Sequence, residues 1–102
     1  MPFRRDRFAD VVNRQLDLFE RERGDLIAAA AAALRAYHGA DRNDAPAHYD
    51  RYEDAVEEGQ DDLLELRDAY AATLDEDTAE DYRDTFNRRV RKRFPDFGVE
   101  LD

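Results

Sequence analysis

Apolar residues recur every three or four positions along most of this chain, which is the spacing of amphipathic helices. The first stripe predicts a helix over about residues 4–37 and includes a run of six alanines, Ala28 to Ala33, the residue type with the highest intrinsic helix propensity. The stripe is interrupted only where Arg23 and Gly24 stand in place of apolar residues. Its members are Phe8, Val12, Leu16, Phe19, Leu26, Ala30, Ala33 or Leu34, and Tyr37.

A second helix is predicted over about residues 46–73. Its apolar stripe alternates steps of three and four residues, as the seam of a coiled coil does. The seam consists of Tyr49, Tyr52, Val56, Gly59, Leu63, Leu66, Tyr70 and Thr73. Because Asp44 and Pro46 are typical of a helix start, the preceding residues predict a short turn. Two helices joined by a short turn pack antiparallel.

A third helix is predicted over about residues 78–94, where Pro95 would end it. Its apolar face consists of Ala79, Tyr82, Phe86, Val90 and Phe94. We expect this face to pack on the first half of helix 1, with Val11 and Leu18 as its contacts. The tail, residues 95–102, is predicted to dock in an extended conformation.

Together these elements predict a single all-α domain, a long antiparallel hairpin completed at one end by a shorter third helix. The other end of the hairpin would hold only two helices, with Tyr49 and Tyr52 opposite the alanine run. Ile27 and Leu34 would lie at the edge of that surface, with Ala31 further round the helix. Either the tail folds over this surface or another molecule does, and a symmetric homodimer that completes a four-helix bundle is the commonest solution.

Two mid-helix glycines, Gly24 and Gly59, would lie at the same level if the turn is centred near residues 41 and 42. We interpret them as a close helix crossing, because each costs about 1 kcal/mol relative to alanine in a helix interior. The alternative is a shared kink or a small binding notch.

Composition favours a soluble, cytoplasmic, single-domain protein. The chain of 102 residues is 41% charged, has a net charge of −10 and contains no cysteine. Seventeen acidic residues against four arginines lie within residues 41–85, so a nucleic-acid partner is disfavoured. No apolar run is long enough to cross a membrane, and no signal core follows the first residues. We expect the basic run 88–93 to pair with acidic residues of this chain or of a second subunit.

No motif for catalysis or cofactor binding is present, so we expect a protein that is not an enzyme and has no cofactor. The two histidines, His38 and His48, flank the turn together with Asp41 and Asp44. These four residues are the candidates for a metal site, but their spacing fits no established ligand pattern. We therefore interpret them as loop and capping residues, with a small-ligand or metal-binding protein as an alternative.

The turn also carries a resemblance. Tyr37-His38-Gly39 is similar in place and spacing to the Trp-x-Gly turn of WXG-type secreted helical hairpins, with Tyr in place of Trp. A Tyr-x-x-x-acid element runs from Tyr49 to Glu53, whereas that family carries its export signal after the second helix. This resemblance implies a secreted hairpin as a further alternative. The sequence itself favours a non-catalytic protein that acts by association with itself and with a possible second protein.

Overall fold

The computed structural model describes residues 7–98 and residue 101, and this part of the chain is all-α, without a strand. The all-α prediction is therefore confirmed. The helices are α1 (Ala9–Glu22), α2 (Gly24–Gly39), α3 (Ala45–Ala71), α4 (Glu76–Arg93) and the single turn α5 (Pro95–Gly98). The predicted helical residues 4–6 and the tail residues 99, 100 and 102 lie outside the described residues. None of the described helices is both long enough and apolar enough for a membrane crossing.

The prediction of a single first helix is wrong, because α1 ends at Glu22 and α2 starts at Gly24. Between them Arg23 has φ −121° and ψ 31°, outside the helical range. Its amide still donates to the carbonyl of Phe19, and its own carbonyl accepts from Leu26 at 3.0 Å, so the backbone remains hydrogen-bonded through the bend. The break falls where the apolar stripe is interrupted.

Helices α1 and α4 run parallel and form the centre of the core. The rings of Phe8 and Tyr82 lie 5.5 Å apart near the start of both helices, and those of Phe19 and Phe94 lie 5.5 Å apart near their ends. Tyr82 is fully buried and also contacts the ring of Tyr70 on α3 at 4.7 Å. The third predicted helix therefore packs on the first half of predicted helix 1, as expected.

The contacts expected of Val11 and Leu18 are only partly correct. Val11 is half-buried and packs against the core, but Leu18 is 39% exposed. Leu18 lines a groove towards Leu66 and Ala69 of α3, and not the face of α4.

Helix α3 fully buries only Gly59 and Leu63 of the predicted coiled-coil seam. Four other seam residues are partly buried against the core: Tyr52, Val56, Leu66 and Tyr70. The buried residues of α3 recur every four positions: Ala55, Gly59, Leu63, Arg67 and Ala71. Four residues turn an α-helix through about 400°, so each step shifts the row by about 40°. The buried row therefore winds around α3, from α2 at one end to α4 at the other. Tyr49 and Thr73, at the two ends of the predicted seam, are exposed.

The tail is helical at its start, and not extended as predicted. Helix α5 inserts Phe97, which is 2% exposed, between Phe19 of α1 and Gly59 of α3. Beyond it the carbonyl of Leu101 accepts a hydrogen bond from Arg91 at 3.0 Å. The tail therefore covers the middle of α3. At this point α5 contacts α1, α3 and α4.

Candidate functional site

Among the described residues, the far end of the α2–α3 hairpin contains only these two helices. The molecule measures 55 × 30 × 23 Å. Arg23 at the start of α2 forms ion pairs with Glu58 and Asp62, while Tyr37 at its other end contacts Tyr49, ring to ring, at 5.1 Å. The two helices are therefore antiparallel and lie at the levels that the predicted turn implies. We call the part of the hairpin formed by residues 26–56 the distal hairpin.

The interior of the distal hairpin is made largely of alanine. Ala30, Ala33 and Ala55 are buried there, each 9% exposed or less. The larger side chains lie at the edge, where Tyr37 is 36% and Tyr49 39% exposed. Alanine lets the two helices approach closely but provides little apolar area, so the larger side chains are only partly covered.

The sequence-predicted interaction residues lie in the distal hairpin. Ile27, Ala31 and Leu34 are half-buried, and their spacing of four and three residues places them on one stripe of α2. On α3, Tyr52 is half-buried and its ring lies 5.8 Å from that of the exposed Tyr49. All five residues thus belong to the distal hairpin and are at least partly accessible.

The turn residues considered for a metal site have other roles in this structure. The Asp41 carboxylate accepts hydrogen bonds from the amides of Asn43 at 2.9 Å and Asp44 at 3.0 Å, which closes the turn. A ring nitrogen of His48 lies 2.8 Å from Nη1 of Arg51. In the described part of the chain, no three His, Asp or Glu side chains are placed to hold a metal ion.

The two glycines do not form a close crossing with each other. A Cβ atom on Gly24 would meet nothing within 4 Å, so this residue makes no close approach. On Gly59, by contrast, a Cβ atom would lie 2.6 Å from Cδ1 of Phe97. Gly59 of α3 therefore makes room for Phe97 of the tail. Beside Gly24, the contacts between α2 and α3 are instead the ion pairs of Arg23 with Glu58 and Asp62.

A groove of about 500 Å³ continues from the distal tyrosines along α3 to α5. We call it the acid–tyrosine groove. It is lined by Tyr49, Tyr52, Glu53, Val56, Glu57, Gln60, Asp61, Leu64 and Asp96. Burial raises the pKa of Tyr52, and the charge of Asp96 and a hydrogen bond to that carboxylate raise it further. The hydrogen bond between Tyr52 and Asp96 joins the groove to α5.

Two residues of the basic run on α4 contact α1. Arg93 forms ion pairs with Asp17 and Glu20, each at 2.6 Å, and Arg89 donates to the side-chain oxygen of Asn13 at 3.2 Å. A second groove, of about 380 Å³, lies beside these contacts. Part of the basic run thus ties α4 to α1 within the chain.

No family model, curated protein or solved structure matches the chain. The resemblance of the turn to WXG-type hairpins accordingly remains a prediction based on three residues.

Proposed function

We propose that this protein acts by association, not by catalysis, and that the distal hairpin joins two copies of the chain. The observation that supports the proposal is the two-helix end of the hairpin, whose buried interior is alanine and whose larger apolar side chains remain accessible. Burial of apolar surface favours protein–protein association. Two copies that pair along this edge would form a four-helix bundle.

The stripe of Ile27, Ala31 and Leu34 suits such an interface because its central residue is small. Alanine at the centre permits close contact between two helices, and the longer side chains on either side supply most of the apolar area. A self-complementary patch of this kind is the usual basis of a two-fold dimer. Tyr49 and Tyr52 would then be covered at its border, where their hydroxyl groups can remain in water.

The proposal is tested by the substitution Ala31→Glu, with Ala32→Glu as the matched control. Ala31 is half-buried in the stripe, whereas Ala32 is exposed outside it. Because both substitutions replace alanine by glutamate, the two variants have the same net charge and composition. We expect a dimer by sedimentation equilibrium for the wild type and for Ala32→Glu, and a monomer for Ala31→Glu. Circular dichroism establishes that both variants are folded.

A monomeric wild type at all accessible concentrations would contradict the proposal. So would a dimer that both variants preserve equally, because the interface would then lie elsewhere.

A further inference from the structure

The short helix α5 is held by two close contacts that only glycine allows. Phe97 lies against Gly59 of α3, where a Cβ atom would be 2.6 Å from Cδ1 of the ring. One residue further along the tail, a Cβ atom on Gly98 would lie 2.9 Å from Cα of Arg91 on α4. The tail is therefore packed tightly against both α3 and α4.

Asp96 belongs to the same helical turn and contacts the distal hairpin. Its carboxylate accepts a hydrogen bond from the hydroxyl group of Tyr52, and both residues line the acid–tyrosine groove. Further along the tail Leu101 is fully buried, and its carbonyl accepts the hydrogen bond from Arg91. Because the tail is anchored in this way, the carboxylate is presented to Tyr52 from a fixed position.

Tyr52 begins a row of aromatic contacts that leads to the tip of the hairpin. Its ring lies 5.8 Å from that of Tyr49, which in turn lies 5.1 Å from that of Tyr37. Tyr37 and Tyr49 are both exposed, so contacts within the chain cover only part of each ring. The tail is thus connected, through Tyr52, to the accessible side chains at the border of the proposed dimer interface.

A side chain that is already fixed loses less conformational freedom when a partner binds. Ordering one mobile side chain at an interface weakens binding by about twofold to tenfold. The hydrogen bond to Asp96 restricts Tyr52 before any partner is present, and Tyr52 in turn restricts the ring of Tyr49 that packs against it. The docked tail therefore prepares these two tyrosines for association.

We propose that the C-terminal tail controls self-association, because α5 holds Tyr52 in the position in which it borders the interface between two copies. This inference rests on the proposed function, since it names the element that regulates the same surface. Asp96 is a positioning residue, which acts through Tyr52 and not by contact with the second copy. Displacing the tail weakens association, although every apolar side chain of the interface is still present.

The first test compares Asp96→Ala with Asp61→Ala, whose carboxylate is exposed on α3 and lines the same groove. Both substitutions remove one negative charge from the groove. Sedimentation equilibrium measures the dimer dissociation constant, and circular dichroism establishes that the variants are folded. We expect Asp96→Ala to raise the dissociation constant by about threefold to tenfold, and Asp61→Ala to stay within about twofold of the wild type.

A second variant displaces the tail without changing Tyr52 or the net charge. Gly98→Ala places a methyl group against the backbone of Arg91, so α5 must shift, whereas the methyl group of Gly24→Ala meets open space. We expect Gly98→Ala to weaken the dimer about as much as Asp96→Ala does. Gly24→Ala should stay within about twofold of the wild type. Equal dissociation constants for the two glycine variants would overturn the proposal.

Tyr52→Phe removes the donor of the same hydrogen bond and should weaken the dimer about as much as Asp96→Ala. The double variant should weaken it no further, since both substitutions remove one interaction. Additive effects would overturn the proposal, because the Tyr52 hydroxyl and Asp96 would then act on the dimer independently.

The position of Tyr52 is also measured without a dimer, by nuclear magnetic resonance in the Ala31→Glu background. There Asp96→Ala should move the ring proton signals of Tyr52 and Tyr49 towards their values in the unfolded chain, whereas Asp61→Ala should not. Unchanged ring signals would overturn the proposal, since the tail would then not hold Tyr52.

These measurements keep the two proposals apart. If Ala31→Glu dissociates the wild-type dimer and Asp96→Ala leaves it unchanged, control by the tail is wrong and the dimer interface stands. A monomeric wild type contradicts both proposals.

Discussion

The ring of Phe97 occupies the space that a side chain on Gly59 would need. The two residues come from α5 and from the middle of α3, and Phe97 is held from its other side by Phe19 at 6.0 Å. Glycine is therefore required at residue 59 by a tertiary contact, although it weakens the helix that contains it.

We expect Gly59→Ala to lower the free energy of unfolding by about 1–3 kcal/mol, because the new methyl group must displace a buried ring. Gly24→Ala is the matched control: its Cβ atom meets open space, and better helix propensity should raise stability by less than about 1 kcal/mol. Urea unfolding of both variants measures the difference. If Gly59→Ala were as stable as Gly24→Ala, α5 would not be fixed against α3.

Arg23 should contribute to stability in a way that depends on salt. It pairs with Glu58 and Asp62 across the hairpin, and its side chain is 27% exposed, so dissolved ions weaken these attractions. We expect Arg23→Gln to lower the melting temperature at low ionic strength, with a smaller effect in 1 M NaCl, where the Debye length is about 3 Å.

Arg14→Gln is the control for this change, since Arg14 is exposed on α1 and forms no ion pair with the described residues. The two variants have the same net charge. Equal effects at low and at high salt would show that Arg23 matters for the bend between α1 and α2, and not for its ion pairs.

Tyr82 should make stability depend on pH in the alkaline range. Burial raises the pKa of its hydroxyl group to about 12, and this hydroxyl donates a hydrogen bond to the side-chain oxygen of Gln15. The unfolded chain ionises at its ordinary pKa of about 10, so the stabilisation is complete below that pH and is lost as the pH rises towards about 12.

Tyr82→Phe should therefore flatten the decline in unfolding free energy over this range. At neutral pH it should cost about 1 kcal/mol for the lost hydrogen bond to Gln15. Denaturant titrations at a series of pH values measure both effects, with Tyr49→Phe at an exposed position as the control. An unchanged alkaline decline would show that the Tyr82 hydroxyl is accessible to water in the folded state.

Helices α3 and α4 could be predicted from the sequence because they depend on local spacing. The start of α3 beside Pro46 and the end of α4 before Pro95 are set by the missing amide hydrogen and fixed φ of proline. The apolar face of α4 was also predictable, since Tyr82, Phe86 and Val90 share one side of a single helix and are all fully buried.

Features that depend on distant partners could not be predicted. The break at Arg23 involves carboxylates more than thirty residues away. Arg67 is buried and donates to the side-chain oxygen of Asn87 at 2.9 Å, although both residues lie in polar stretches of the sequence. The distal surface was partly predictable, since the alanine run is visible in the sequence, whereas the acid–tyrosine groove requires α5 to be in place.

The alanine interior of the distal hairpin also affects the conformational entropy that would be lost on association. Alanine has no side-chain rotamers to lose, so fixing Ala30, Ala33 and Ala55 costs only backbone freedom. The same methyl groups provide little cohesion, and backbone amides there should exchange with solvent deuterium sooner than those of α1 and α4. A partner molecule bound at this end would slow the amide hydrogen exchange and would cost little conformational entropy.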